Sequence, residues 1–390
     1  MGNSRIEREV WPDILRVAAC FMVMLVHSTE PFYIGGAGSL VLSGTDALWV
    51  ALADSFARAC VPLFVVLSSY LLLPLRYSTG EFFKRRAARL LVPFLIWTCV
   101  YALVWGEPVQ NFKDLAFNFN FAAGHLWFVY MLLGVYLIMP VISPWAEKAD
   151  RKEILAYMAI CFATYFIPFI RGAKIGETVV LYGTGGIPMQ ADFPLWGEAC
   201  WNKFGLFYYV SGFMGYVLLG LYLRRFGIRM SGKKALAAGL LCFLCGFAIC
   251  SHGVYRRIMA SAGGVFPFES DPAASVGWET TLTYCSAGVA LMVVGWILLF
   301  HKAGSESPFY RNVIQPVSEA SYGMYLCHML ILAAFSKVFR NMLGLGADGI
   351  LGIWTTPVII ILTAICTFAC SALCCIAVKR IPKVGRWIVG

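Results

Sequence analysis

From Pro12 to Thr29 the chain is a near-continuous apolar segment that nonetheless carries Arg16 and His27. Its length and hydropathy predict a membrane-spanning helix. At about 100° per residue the two side chains return to one helix face, about 16 Å apart along the axis. An ionisable group facing hydrocarbon is costly, so this face should turn toward a protein interior or a wet cavity. Taken singly, Arg16 reads equally well as a snorkelling residue near the helix start, and His27 as a packing histidine. Two such residues on one face point to a functional cavity.

The remainder of the chain is of the same kind. It has 390 residues, 60% hydrophobic and 13% charged, with a mean hydropathy of +0.74. Soluble domains carry about 25% charged residues. The apolar runs are long and continuous, unlike the alternating segments of about ten residues that build membrane barrels. Ten candidate spans follow: 12–30, 47–74, 88–105, 125–142, 154–170, 204–223, 235–251, 280–300, 320–338 and 352–378. They predict an all-α polytopic membrane protein, one domain over 1–390, with about ten helices around a polar cavity. The second and tenth runs exceed the roughly 20 residues a bilayer requires, so they should tilt, kink or protrude. Pro62 is the natural kink site in the second. The first segment lacks a small-residue cleavage site and is expected to be a retained span. Most of the 14 cysteines lie within apolar runs, where a thiol serves as a small hydrophobe. The Cys242/Cys245 pair has no second ligand pair and is expected to pack.

Orientation comes from the basic residues. With the N-terminus inside, 22 of the 31 Lys and Arg fall in inside segments and 8 in outside ones. This places both termini in the cytoplasm. It also accounts for most of the net charge of +10, so no nucleic-acid partner is expected. The outside segments, 31–46, 106–124, 171–203 and 252–279, are the long ones and bear glycine, aromatic and acidic residues. They suit recognition or, equally, solvated connection.

Several polar groups stand inside apolar runs. His27 lies toward the outer side of the first span, where a neutral imidazole suits a general base. Asp13 and Arg16, spaced i, i+3, read as a helix ion pair. Arg58 lies too deep to be a topology charge. It either pairs with Asp54 at i, i+4 or donates to a developing oxyanion. Lys84, Arg85, Arg86 and Arg89 form a compact cationic patch, suited to phosphates or to anchoring on anionic lipid. His125 and Trp127 open the fourth span at its outer boundary, level with His27. Ser321, Tyr325 and His328 share one face of the ninth span. They line the same cavity or hydrogen-bond between helices. With no HExxH, no Cys/His pairs and no acidic cage, no metal site is expected.

Five motifs give the chain a family resemblance. They are Asp13-x-x-Arg16-x10-His27, Ala57-Arg58-x3-Pro62-Leu63-Phe64, Arg85-Arg86-x-x-Arg89-x3-Pro93, His125-Leu-Trp127-Phe128 and Ser321-x3-Tyr325-Leu-x-His328. Together they resemble the bacterial membrane O-acyltransferase 3 family nearly end to end, closest to its short inner-membrane members. The chain departs at Ser68-Ser69, where the family commonly has Ser-Gly. The resemblance implies an acyl donor, acyl-coenzyme A and most simply acetyl-coenzyme A, taken from the cytoplasm. The acyl group would pass to a hydroxyl of an envelope glycan or small-molecule acceptor. It implies that Arg85, Arg86 and Arg89, with Lys84 beside them, hold the donor's phosphates. His27 would be catalytic, Arg16 and Arg58 supporting charges, and Asp54, His125, Trp127, Ser321, Tyr325 and His328 cavity groups. The alternative is a transporter or flippase for a glycan or lipid intermediate, using the same charges for binding. A structural membrane subunit would leave the stacked ionisable residues unexplained.

Overall fold

The computed structural model describes residues 8–33, 39–105, 107–115, 121–166, 206–270, 278–304, 306–382 and 384–390. The loop expectation for 171–203 lies outside these residues, as do parts of 31–46, 106–124 and 252–279. Among the described residues, seven helical stretches are long and apolar enough to cross a membrane. They are Val10–Phe32, Gly44–Leu72, Thr79–Val104, Ala123–Lys148, Gly232–Ala262, Tyr310–Leu343 and Gly352–Lys379, with Ala287–Phe300 apolar but shorter. The protein is an all-α polytopic membrane protein. Each of the ten predicted runs contains helix.

Helix α1 (Val10–Thr29) is the hub: it packs against α2 (Gly44–Ala57), α3 (Cys60–Leu72) and the two late helices described below. The predicted run at 47–74 is two helices, broken at Arg58-Ala59. Proline has no N–H, so Pro62 cannot bond the carbonyl of residue 58, and its ring crowds that carbonyl. The break therefore falls one turn before the proline, and it places Arg58 at a helix end. The third span begins as α4 (Thr79–Arg86), passes through a π-helical turn at Ala87–Leu91 and continues as α5 (Val92–Val104). A short α6 (Pro108–Leu115) precedes α7 (Trp127–Lys148) and α8 (Arg151–Thr164).

Next come α9 (Leu206–Phe226), α10 (Gly232–Ala262) and α11 (Ala287–Phe300). The segment 252–279 was expected to be an outside loop, but its first part is helix up to Ala262. Its apolar face continues over Val254 and Ile258, both buried, and the helix stops where Gly263 takes φ +58°. A left-handed glycine is a common helix stop. A second π turn, Tyr310–Ile314, leads into α12 (Gln315–Leu343), followed by α13 (Thr355–Lys379) and α14 (Gly385–Val389). Ser39–Val41 pairs antiparallel with Phe268–Ser270, tying the α1–α2 connection to the segment after α10.

Close helix approaches rest on glycine. A Cβ on Gly220 of α9 would lie 2.4 Å from the Val66 carbonyl and 2.8 Å from Ser69 Cβ. Ser69 Oγ in turn donates to the Val217 carbonyl at 2.6 Å. At Ser68-Ser69, then, the glycine that permits close packing is supplied by the opposite helix.

Candidate active site

One cavity of about 670 Å³ runs beside α1 and is lined at one end by Arg16, Arg76, Arg85, Arg86 and Arg89, and elsewhere by His27, His125, Trp127 and Tyr284. Its size falls in the usual range for small-molecule sites. Ser321 and Tyr325 line it as well. The 3.6-residue period that put Arg16 and His27 on one face has both of them facing this space.

At the basic end, the π turn at Ala87–Leu91 follows Arg86 and carries Arg89 within it. Such bulges re-aim the side chains that follow and recur at functional sites. Arg85 is exposed, pairs with Glu81 at 2.7 Å and covers the Tyr77 ring at 4.1 Å. Arg86 buries its Nε without a hydrogen-bond partner among the described residues, and its guanidinium lies 6.0 Å above the rings of Phe82 and Tyr136. An orphaned buried donor costs about 1–3 kcal/mol, so this position asks for an acceptor. Lys84 is exposed and is not among the lining residues, whereas Arg76 and Tyr77 are. Sequence reasoning assigned Arg76 only to topology; its closeness in sequence to the Arg85-Arg86 pair was the available signal.

Arg16 is anchored through one nitrogen. Its Nη1 donates to Asp13 Oδ1 at 3.2 Å and to Ser318 Oγ at 3.0 Å. Asp13 is the buried hub of this corner, also accepting from Arg8 at 2.6 Å, Tyr310 at 2.7 Å and Ser318 at 2.6 Å. Arg8 lies before the first span. Its hydrogen bond to Asp13 raises the guanidinium above its ordinary range against the opposing effect of partial burial, so it stays charged.

At the far end His27 and His125 line the cavity, and His328, expected as a cavity group, is not among the lining residues but packs against both rings. Ring centroids are 5.1 Å apart for His27 and His328, 5.2 Å for His125 and His328, and 6.3 Å for His27 and His125. His328 is fully buried, and its Nδ1 lies 2.6 Å from the Tyr325 carbonyl. A carbonyl only accepts, so Nδ1 carries the proton and Nε2 of the neutral ring keeps its lone pair. That Nε2, like Nε2 of His125, is buried without a partner among the described residues. Tyr325 donates through its hydroxyl to the His125 carbonyl at 2.6 Å, linking α12 to the start of α7. Trp127 stacks on Tyr284 with centroids 5.4 Å apart. Tyr284 belongs to a connector between helices, and nothing in its local sequence marked it for the cavity.

Asp54 and Arg58 are placed apart from this space. Arg58 Nε and Nη2 donate to both Asp54 oxygens at 2.8 and 2.9 Å, and Nη2 also lies 2.6 Å from Glu279 Oε1. The Tyr33 hydroxyl bridges Asp54 at 2.9 Å and Glu279 at 2.6 Å. Burial and these two carboxylates hold the Tyr33 phenol protonated, well above the usual tyrosine range. Neither Asp54 nor Arg58 is among the cavity's lining residues. The geometry is that of the structural ion pair, not of a donor aimed at a reacting carbonyl.

A stretch covering nearly the whole chain, residues 9–376, matches the Acyltransferase domain family, acyltransferase 3. The chain belongs to that family. No curated protein and no solved structure matches it. The protein is thus a multi-pass membrane acyltransferase. Among the described residues, the acyltransferase's cavity has the unpartnered Nε of Arg86 at one end and the unpartnered Nε2 of His125 at the other. Anion binding and proton transfer are the chemistry such a pair of ends supports.

Proposed function

We propose that the acyltransferase moves an acyl group, acetyl in the simplest case, from cytoplasmic acyl-coenzyme A to a hydroxyl of an envelope glycan or related acceptor in the bacterial cytoplasmic membrane. The observation that carries this reading is that one continuous cavity is lined by both the arginine cluster and His27. The excess of basic residues on inside segments puts the arginine end at the cytoplasm, where the donor is made. The residues fit that donor. Arg86 has an orphaned buried N–H, and Arg76, Arg85 and Arg89 line the same mouth with donors suited to phosphate. Lys84 contributes long-range attraction from outside the cavity. The donor supplies an activated thioester carbonyl. Nε2 of His27 accepts the proton of the acceptor hydroxyl as its oxygen attacks the thioester carbonyl; the C–S bond then breaks, the ester forms, and coenzyme A leaves as the thiol, taking the proton back from His27. His125 orients the acceptor hydroxyl through its Nε2, His328 packs behind the two lining imidazoles, and Trp127 with Tyr284 walls the site.

The test is to incubate purified protein with radiolabelled acetyl-coenzyme A and host envelope extract, then identify the labelled product. Label in an ester on a hydroxyl acceptor, lost in His27→Ala, is the expected result. Undiminished labelling by a folded His27→Ala protein would remove His27 from the base role. Movement of a glycan intermediate across vesicles without donor consumption would favour transport.

A further inference from the structure

Glu30 played no part in the reading of the sequence, yet it is the acidic side chain nearest the candidate base. We propose that Glu30 is a positioning residue for His27, holding the imidazole with its proton on Nδ1 and its lone pair on Nε2; this rests on His27 being the general base.

The local backbone explains the placement. Helix α1 ends at Thr29, but Glu30 keeps helical dihedrals, φ −54° and ψ −39°. Its side chain therefore follows the helix register, three residues beyond His27 and on the same face. Glu30 Oε1 lies 2.8 Å from Nδ1 of His27. The N–H runs wide of the oxygen, because Nδ1 is buried and makes no aligned hydrogen bond. In this arrangement the contact is electrostatic. Catalytic hydrogen bonds are often loose before substrate binds and tighten in the complex.

The turn that carries Glu30 is fixed from both sides. Pro31 stiffens the short 3₁₀ segment Glu30–Phe32, and the Tyr33 N–H closes it on the Glu30 carbonyl at 3.0 Å. The Tyr33 hydroxyl is in turn clamped by Asp54 and Glu279. The Arg58 cluster, set apart from the cavity, thus holds the turn whose carboxylate addresses the base.

Chemically, the carboxylate decides which nitrogen is free. An imidazole with its proton on Nε2 would offer the acceptor hydroxyl a donor where a lone pair is needed. With the proton kept on Nδ1 by the neighbouring Glu30 carboxylate, 2.8 Å away, Nε2 is available. When the hydroxyl O–H breaks and Nε2–H forms, the Nδ1 proton stays in place, and the Glu30 carboxylate stabilises the imidazolium without being protonated.

The experiment uses full-length purified protein, acetyl-coenzyme A as donor and envelope extract as acceptor, with His27→Ala measured alongside. Glu30→Gln should lower kcat by about 10²-fold with donor KM unchanged, less than the roughly 10⁴-fold seen for a fully buried carboxylate–histidine pair. Glu30 is 28% exposed, so formate should reach the gap in Glu30→Ala and restore part of kcat, as should Glu30→Asp. A purely structural glutamate would show no rescue by formate. If His27→Ala is inactive while Glu30→Gln turns over like wild type, the positioning role is overturned and the base assignment stands. If His27→Ala itself retains activity, the base assignment fails and this inference fails with it.

Discussion

Two sets of arginines sit in this molecule, and they meet opposite fates. Arg58 is buried and saturated: two carboxylates and a phenol surround one guanidinium. Arg86 and Arg89 line a cavity, and Arg86 keeps a buried donor unmatched. The difference is one of local supply. Around Arg58 the carboxylates outnumber the cation, whereas at the basic mouth Glu81 reaches only Arg85 among the described residues. Burial alone does not identify a functional charge in a membrane protein; the distinguishing feature is whether its hydrogen-bonding capacity is already used.

The comparison is tested hardest at the imidazole end. His27→Ala should reduce turnover by about 10²–10⁴-fold, the usual loss for a positioned base. Its melting temperature in detergent should stay near wild type, since the ring lines a cavity rather than filling a core. A variant that lost both together would return His27 to a packing role.

Arg58 should behave in the reverse way. Removing one partner of a buried ion pair costs about 3–5 kcal/mol, because the other is left unpaired. Arg58→Leu should therefore melt far below wild type. The double variant Asp54→Leu/Arg58→Leu should recover part of that loss, since apolar replacement of both partners is often tolerated. Full stability of Arg58→Leu with abolished turnover would move Arg58 to the chemistry and dissolve the contrast drawn here.

At the mouth, Arg86→Gln or Arg89→Gln should each raise the donor KM about tenfold, since hydrogen bonds to charged groups contribute about 1.5–3 kcal/mol. Acceptor KM and melting temperature should hardly move. Lys84→Gln, outside the cavity lining, should change donor KM by no more than about twofold, as expected for an exposed charge. Equal effects from Lys84 and Arg86 would mean that the patch acts as a diffuse field and not as a built site.

Sequence periodicity alone recovered the helical membrane class and the shared face of Arg16 and His27, because both depend on contacts within one helix. The fate of Arg58 was undecidable at that level: Asp54 is one turn away, but Glu279 and Tyr33 come from other parts of the chain. Glu30 was overlooked because it is the last residue of the predicted span 12–30, at the edge of the 31–46 loop, where an acidic residue reads as a solvated helix end. Its importance depends on the helical dihedrals persisting one residue past the apparent end. The π turn that carries Arg89 and the one before α12 have no composition signature, although Arg85, Arg86 and Arg89 line one cavity as their helical spacing predicted. Arg76 lies in a connector, where neither period applies, and Tyr284 falls in the predicted span 280–300 but precedes the helix, which begins only at Ala287.

The last expected effect, on stability and not on turnover, concerns a seam built from uncharged small residues. Gly239 and Gly246 on α10 face Gly288 and Gly295 on α11, each pair seven residues apart and so on one stripe. A Cβ on Gly246 would lie 2.4 Å from the Gly288 carbonyl oxygen, and one on Gly295 would lie 2.8 Å from the Gly239 carbonyl oxygen. Those atoms are backbone and cannot swing aside, so the helices must separate. Small residues allow such close approach where lipid offers no hydrophobic drive for association. Gly246→Ala should destabilise the protein by about 1–3 kcal/mol, the usual range for overpacking. Donor KM and kcat should be unchanged at temperatures where the protein stays folded, because this seam lies away from the cavity lining. A kinetic defect without a stability defect would show that the α10–α11 seam communicates with the cavity, and a third region would then have to be set beside the two arginine environments.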